Sequence, residues 1–170
     1  MYPDILSANG FDNPWYWLLV IVIWLRSLQW TFGIPKYMMR SAIKGDEQAK
    51  SDVLALLDIH TRAIVSEFNL YGSALVLLIC FVLASIATLG FSHDITILQA
   101  IFFIAVPMSL LGAFDVRLSY QILSKKSDWD AFCKIYKRYF WIKVTFASVF
   151  IYASMQWAQY LKLRPYLEFF

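Results

Sequence analysis

Five charged side chains lie within or beside the long apolar stretches of this sequence, and they are its best candidates for chemistry. Arg26 is the most conspicuous, because it stands inside the first apolar stretch, about two helical turns before that stretch ends. A charge at the centre of a membrane helix costs about 2.5–3.5 kcal/mol on insertion scales, so such residues often mark functional sites. We predict a polar cluster in the inner membrane layer, formed by Arg26, Glu67, Asp115, Arg117 and Lys143.

Arg26 also has a purely structural interpretation. Its long aliphatic stem would allow the guanidinium group to reach the inner headgroups, and acids at the same depth would be available as partners. The sequence therefore leaves three roles open for Arg26: structural pairing, part of an ion or solute path, and contact with a partner subunit.

No complete catalytic, metal or cofactor motif accompanies these charges. His60 and His93 are the only histidines, and the expected topology places them on opposite sides of the membrane, so they cannot share a haem or a metal ion. The sequence contains no H-E-x-x-H, G-x-S-x-G or Walker lysine motif. We expect no metal or cofactor, and the sequence favours a chain that is not an enzyme without deciding the point.

Composition indicates an integral membrane protein. Of the 170 residues, 60% are hydrophobic and 16% are charged, whereas a soluble domain has roughly 25% charged residues. The net charge of +3 is small and no basic arm is present, so nucleic acid is not an expected partner. Lipid or other integral membrane subunits must cover the excess apolar surface.

Four apolar stretches predict four transmembrane helices in one domain that spans residues 1–170. Each is close to the ~20 residues that a helix needs to cross a hydrocarbon core about 30 Å thick. Small residues at four-residue spacing, which allow membrane helices to approach closely, predict packing faces at Ala105, Ser109, Ala113, Ser154 and Ala158. The spans are approximately 14–34, 69–91, 95–115 and 141–161.

The distribution of basic residues predicts the orientation of these spans. Of 15 Lys and Arg residues, five lie in segment 36–62 and seven in segment 117–143. Loops rich in Lys and Arg remain in the cytoplasm, so both termini are expected outside. No Arg-rich, acid-poor import segment precedes the first span, which favours a bacterial inner membrane.

The two basic segments should be helical. Asp46 is placed to cap a helix that continues through residue 66, and Ser127 to cap one that runs about 35 residues, without Pro or Gly, to Pro165. We therefore expect an all-α fold of two transmembrane hairpins with helical cytoplasmic connectors.

These features favour a non-catalytic accessory, assembly or scaffold subunit of a larger membrane complex. The first alternative is a small transporter or channel component, which would need Arg26, Glu67 or Asp115 to face a wet cavity. The second is a subunit of a membrane enzyme that binds a lipid or quinone.

Overall fold

The computed structural model describes residues 10–125 and 129–167, and this part of the chain is mostly helical. A two-stranded ribbon between the first two helices is the exception to the predicted all-α class. In chain order the elements are α1 (Pro14–Gln29), β1 (Trp30–Thr31), β2 (Ile34–Pro35), α2 (Lys36–Ile43), α3 (Glu47–Ser92), α4 (Thr96–Lys125) and α5 (Trp129–Leu167).

The first helix is shorter than the predicted span of 14–34. Helix α1 has 16 residues, so it is about 24 Å long and falls short of a ~30 Å hydrocarbon core. The chain then forms an antiparallel ribbon in which Thr31 pairs with Ile34. Phe32 and Gly33 make its turn with φ of 55° and 69°, the left-handed conformation that two-residue hairpins favour.

The prediction of helical connectors is confirmed where the structure describes them. Asp46 caps α3 by accepting a hydrogen bond of 3.1 Å from the backbone N–H of Ala49, and α3 then continues for 46 residues. Helix α5 likewise runs unbroken for 39 residues from Trp129. The second predicted cap, Ser127, lies outside the described residues.

Among the described helices, α3 and α4 are long and apolar enough to cross a membrane. Their most apolar windows have mean hydropathies of 2.7 and 2.1, and only 6% and 22% of those windows is buried within the chain. This supports membrane association by length and composition.

The packing of the long helices matches the second predicted hairpin, in which α4 contacts α5, but not the first, in which α1 would contact α3. Helix α3 packs mainly against α4, and α1 packs mainly against α5. Val20 and Trp24 of α1 are buried with Leu111 of α4 and Ala147 of α5. Val20 is therefore a core residue, and α1 and α3 are not the principal partners of one another.

A second core closes the end of the bundle where the ribbon lies. Ribbon residues Phe32 and Ile34, together with Met39 of α2, pack against Phe132 and Tyr139 of α5. Phe32 and Ile34 are 2% and 0% exposed, so tertiary packing holds the bulky Phe32 in its left-handed conformation.

Candidate functional site

Lys143 is the centre of a polar cluster at the ribbon end of the bundle. Its side chain is 4% exposed. The ammonium Nζ donates hydrogen bonds to the carbonyl oxygens of Ser27, at 3.1 Å, and Trp30, at 3.0 Å. These carbonyls belong to the last turn of α1 and its C-cap, where the helix dipole is negative and a cation is favoured. Lys143 thus links α5 to the end of α1.

Tyr139, one turn earlier on α5, extends this link to α4. Its ring centre lies 5.0 Å from the Nζ of Lys143, within the range of a cation–π contact. Its hydroxyl donates a hydrogen bond of 3.2 Å to the carbonyl oxygen of Leu111. Tyr139 was not among the predicted site residues, although its four-residue spacing from Lys143 places both on one helix face.

Asp115 lies one turn beyond Leu111 and supplies the carboxyl group of the cluster. It interacts electrostatically with Lys143 and, more weakly, with His60. Its Oδ1 atom is buried and accepts no hydrogen bond from the described residues. The His60 ring lies against the ribbon at Gly33. It is so close that a Cβ atom at position 33 would lie only 2.9 Å from the ring.

The structure separates the other three members of the predicted cluster from this pair. Arg26, Glu67 and Arg117 are all exposed, and none of them forms an ion pair with another described residue. The guanidinium of Arg26 instead lies 5.9 Å from the ring centre of Trp30. Asp115 and Lys143 are therefore close enough to interact electrostatically, although no ion pair of 4 Å or less joins them, whereas the other three charged side chains are exposed.

The predicted packing residues are also placed unequally. Ala113 is exposed, while Ala105 and Ser109 are half-buried, and the Ser109 hydroxyl donates to the carbonyl of Ala105 on its own helix. On α5, Ser154 is buried and Ala158 is half-buried. The buried face of α4 instead passes through Ala100, Pro107, Leu111 and Ser119.

A second polar contact, absent from the sequence interpretation, joins three helices at the opposite end of the bundle. Gln99 of α4 is 1% exposed. Its Nε2 donates to the carbonyl oxygen of Gly90 at 2.9 Å, and its Oε1 accepts from the indole Nε1 of Trp157 at 2.9 Å. Nearby, Arg164 pairs with Asp94 at 2.8 Å. A buried glutamine in an apolar helix was the signal that could have identified this contact.

The polar groups of both clusters make contacts between helices. The ammonium group of Lys143 donates to two backbone carbonyls. The side-chain amide of Gln99 donates one hydrogen bond through its nitrogen and accepts one through its oxygen. Within residues 10–125 and 129–167, no group of His, Cys, Asp and Glu side chains could hold a metal ion. A shallow cleft of about 370 Å³ lies away from both clusters, between α2 and the start of α3. Comparisons with protein-family models, curated proteins and solved structures give no match to this chain.

Proposed function

We propose that this chain is a non-catalytic accessory, assembly or scaffold subunit of a larger membrane protein complex. The observation that carries the proposal is the extent of apolar surface that the chain cannot bury by itself. In α3, Leu70, Leu77 and Phe81 are 70%, 71% and 67% exposed. Exposure of apolar surface to water costs about 25 cal/mol per Å², so lipid or protein partners must cover these faces.

The use of the buried polar groups supports a structural role over a conduit. The side chains of Lys143 and Gln99 both form hydrogen bonds that join one helix to another. A conduit would need several polar side chains facing one wet cavity, and Arg26 and Glu67 are instead exposed on the outside of the bundle.

In the proposed topology, the apolar parts of α1, α3, α4 and α5 all cross the membrane and both termini lie outside. The ribbon, α2 and the Lys143 cluster then lie at the cytoplasmic end, and Gln99 lies near the outer end. The positive-inside rule supports this orientation. The short α1 would span the hydrocarbon core only if the bilayer became thinner around it, or if the ribbon also lay within the core.

Cysteine labelling tests the topology. In a Cys80→Ser, Cys133→Ser background, Lys44→Cys should react with a membrane-impermeant maleimide only after the cells are opened. His93→Cys should react in intact cells, because it lies in the exposed turn between α3 and α4. Labelling of Lys44→Cys in intact cells would overturn the topology.

Site-specific photo-crosslinking tests the scaffold role. A photoreactive residue at Leu77 or at Ile21, both exposed, should give an adduct of defined mass with another integral membrane protein. The neighbouring residue Val20 is buried and serves as the control, because a photoreactive residue there should give no adduct with a partner. Adducts formed only with lipid or with copies of this chain would contradict the proposal.

The buried Oδ1 of Asp115 favours a small transporter or channel component as the second candidate. Arg26→Leu separates the two functions, with Arg26→Lys as the charge-conserving control. A scaffold predicts that assembly of the complex is weakened in Arg26→Leu and preserved in Arg26→Lys. Intact assembly with loss of ion or solute flux in Arg26→Leu would favour the conduit.

A further inference from the structure

A cationic surface covers α2 at the same end of the bundle as Lys143. Lys36, Arg40 and Lys44 are exposed and recur every fourth residue, so they occupy one face of the helix, within about 80° of arc. Met39 and Ala42, on the other side of α2, are buried in the ribbon-end core. Helix α2 is therefore amphipathic, with its basic face turned outward.

The first turns of α5 continue this surface. Lys134, Lys137 and Arg138 are exposed and lie within roughly 100° of arc, opposite the buried Tyr136 and Tyr139. The two helices meet where the Nζ of Lys36 lies 4.5 Å from the ring centre of Phe140. We call these six basic side chains of α2 and α5 the α2–α5 surface.

The charges of the α2–α5 surface are available to a ligand. None of its six side chains forms an ion pair with a carboxylate of the described residues, whereas neighbouring Lys50 pairs with Glu47 at 3.6 Å. The nearby carboxylates of Asp46 and Asp52 line the cleft between α2 and the start of α3, where they accept hydrogen bonds from neighbouring residues. Asp130, one turn before Lys134, is the nearest acid along α5.

The height of the surface matches the headgroup layer of a bilayer. Lys143 marks the end of α1, and Arg138 and Lys137 precede Lys143 by five and six residues along α5, a distance of about 8–9 Å. The headgroup layer extends roughly 5–8 Å beyond the hydrocarbon edge. Tyr37 and Trp141 flank the basic residues and are 73% and 67% exposed, as expected for aromatic rings at a membrane interface.

We propose that the α2–α5 surface binds the headgroups of anionic phospholipids in the cytoplasmic leaflet. Its unpaired positive charges complement the phosphates, and basic residues near such a leaflet contribute about 1 kcal/mol each to binding. The six side chains come from two helices that meet at Lys36 and Phe140, so the surface would contact several headgroups around the bundle end. This inference requires the membrane placement proposed above, but not the presence of a protein partner.

Native mass spectrometry of the purified chain in detergent micelles tests the inference, with phosphatidylglycerol and phosphatidylcholine as the added lipids. We expect phosphatidylglycerol to bind the unaltered chain at least about threefold more tightly than phosphatidylcholine. The preference should fall to about one in the quadruple variant Lys36→Gln, Arg40→Gln, Lys137→Gln, Arg138→Gln. Higher ammonium acetate concentration should reduce it in the unaltered chain.

Two controls keep the result interpretable. Lys162→Gln with Arg164→Gln removes two charges at the opposite end and should leave the preference unchanged. Lys36→Arg with Lys137→Arg keeps the charge and should retain it even if the quadruple variant fails to fold. Equal binding of both lipids to the unaltered chain would overturn the inference. So would a quadruple variant that keeps the lipid preference of the unaltered chain. The labelling experiment on Lys44→Cys reports separately on membrane placement.

Discussion

The ammonium nitrogen of Lys143 lies 3.0 Å from the carbonyl oxygen of Trp30, to which it donates a hydrogen bond across 113 positions of sequence. Trp30 is the C-cap of α1, and the last carbonyls of a helix have no partner within the helix. A buried lysine from α5 therefore terminates α1 and anchors the ribbon that follows it.

Replacement of Lys143 by Met should destabilise the chain. The variant leaves the carbonyls of Ser27 and Trp30 without a donor and removes a positive charge from beside Asp115. We expect the free energy of unfolding to fall by about 1.5–3 kcal/mol, the usual effect of losing hydrogen bonds to a charged group. Unfolding by SDS in mixed micelles measures it, and Lys134→Met, at an exposed position, is the control. Equal effects of the two substitutions would show that the capping contact contributes nothing.

The hydrogen bond between Gln99 and Trp157 should be measurable by a double-mutant cycle. Gln99→Met and Trp157→Phe each remove one partner, and the double variant removes both. The contact of Gln99 with the Gly90 carbonyl is lost in both the single and the double Gln99 variants, so it cancels in the cycle. We expect a coupling energy of about 0.5–2 kcal/mol, in the range found for hydrogen bonds between membrane helices. Additive effects of the two substitutions would show that this contact does not join α4 to α5.

Added volume should be tolerated at Ala113 but not at Ala147. Ala147 is 7% exposed and packs between α1 and α4, so Ala147→Leu should cost about 1–3 kcal/mol through overpacking. Ala113→Leu places the same side chain on an exposed face and serves as the matched control. Thermal unfolding in detergent distinguishes the two variants, and a larger loss at Ala113 would place the contact face of α4 where the small residues predicted it.

The cap of α3 should weaken in acid. Hydrogen bonds from Ala49 and Ser41 hold the pKa of Asp46 below its usual value of 3.8. The cap therefore contributes its full stability above that value, and the contribution disappears as pH falls through the lower pKa of the folded state. The protection factors of amides in the first turn of α3, which correct for the intrinsic pH dependence of hydrogen exchange, should fall below about pH 4. Asp46→Asn should abolish the pH dependence while keeping the cap, and Asp46→Ala should raise exchange at every pH.

Local rules predicted the helical parts of this fold well. The cap at Asp46 depends on a side chain three residues from its partner, and the unbroken α5 depends on the lack of internal Pro and Gly before Pro165. Both are decided within one or two helical turns. The apolar composition of α3 and α4 likewise needs no tertiary information.

Tertiary contacts decided what the sequence did not predict. Phe32 adopts a left-handed conformation because the ribbon-end core encloses it, and no local pattern demands that conformation from a phenylalanine. Apolar residues occur on every side of α1, so periodicity could not identify Val20 and Trp24 as its buried residues. His60 on α3 and Tyr139 on α5 also lie near the Lys143 cluster. The hydropathy pattern does not predict which helices pack together, so it could not predict these contacts.

The enclosure of the ribbon also sets an order of events during synthesis. Phe32 packs with its ring centre 5.1 Å from that of Tyr139, which is translated more than 100 residues later. At a synthesis rate of about 5–20 residues per second, Tyr139 is made roughly 5–20 s after Phe32, so the ribbon lacks this contact during that time. Lys143, which caps α1, follows later still. The first helix to be made is therefore among the last to acquire its final partners.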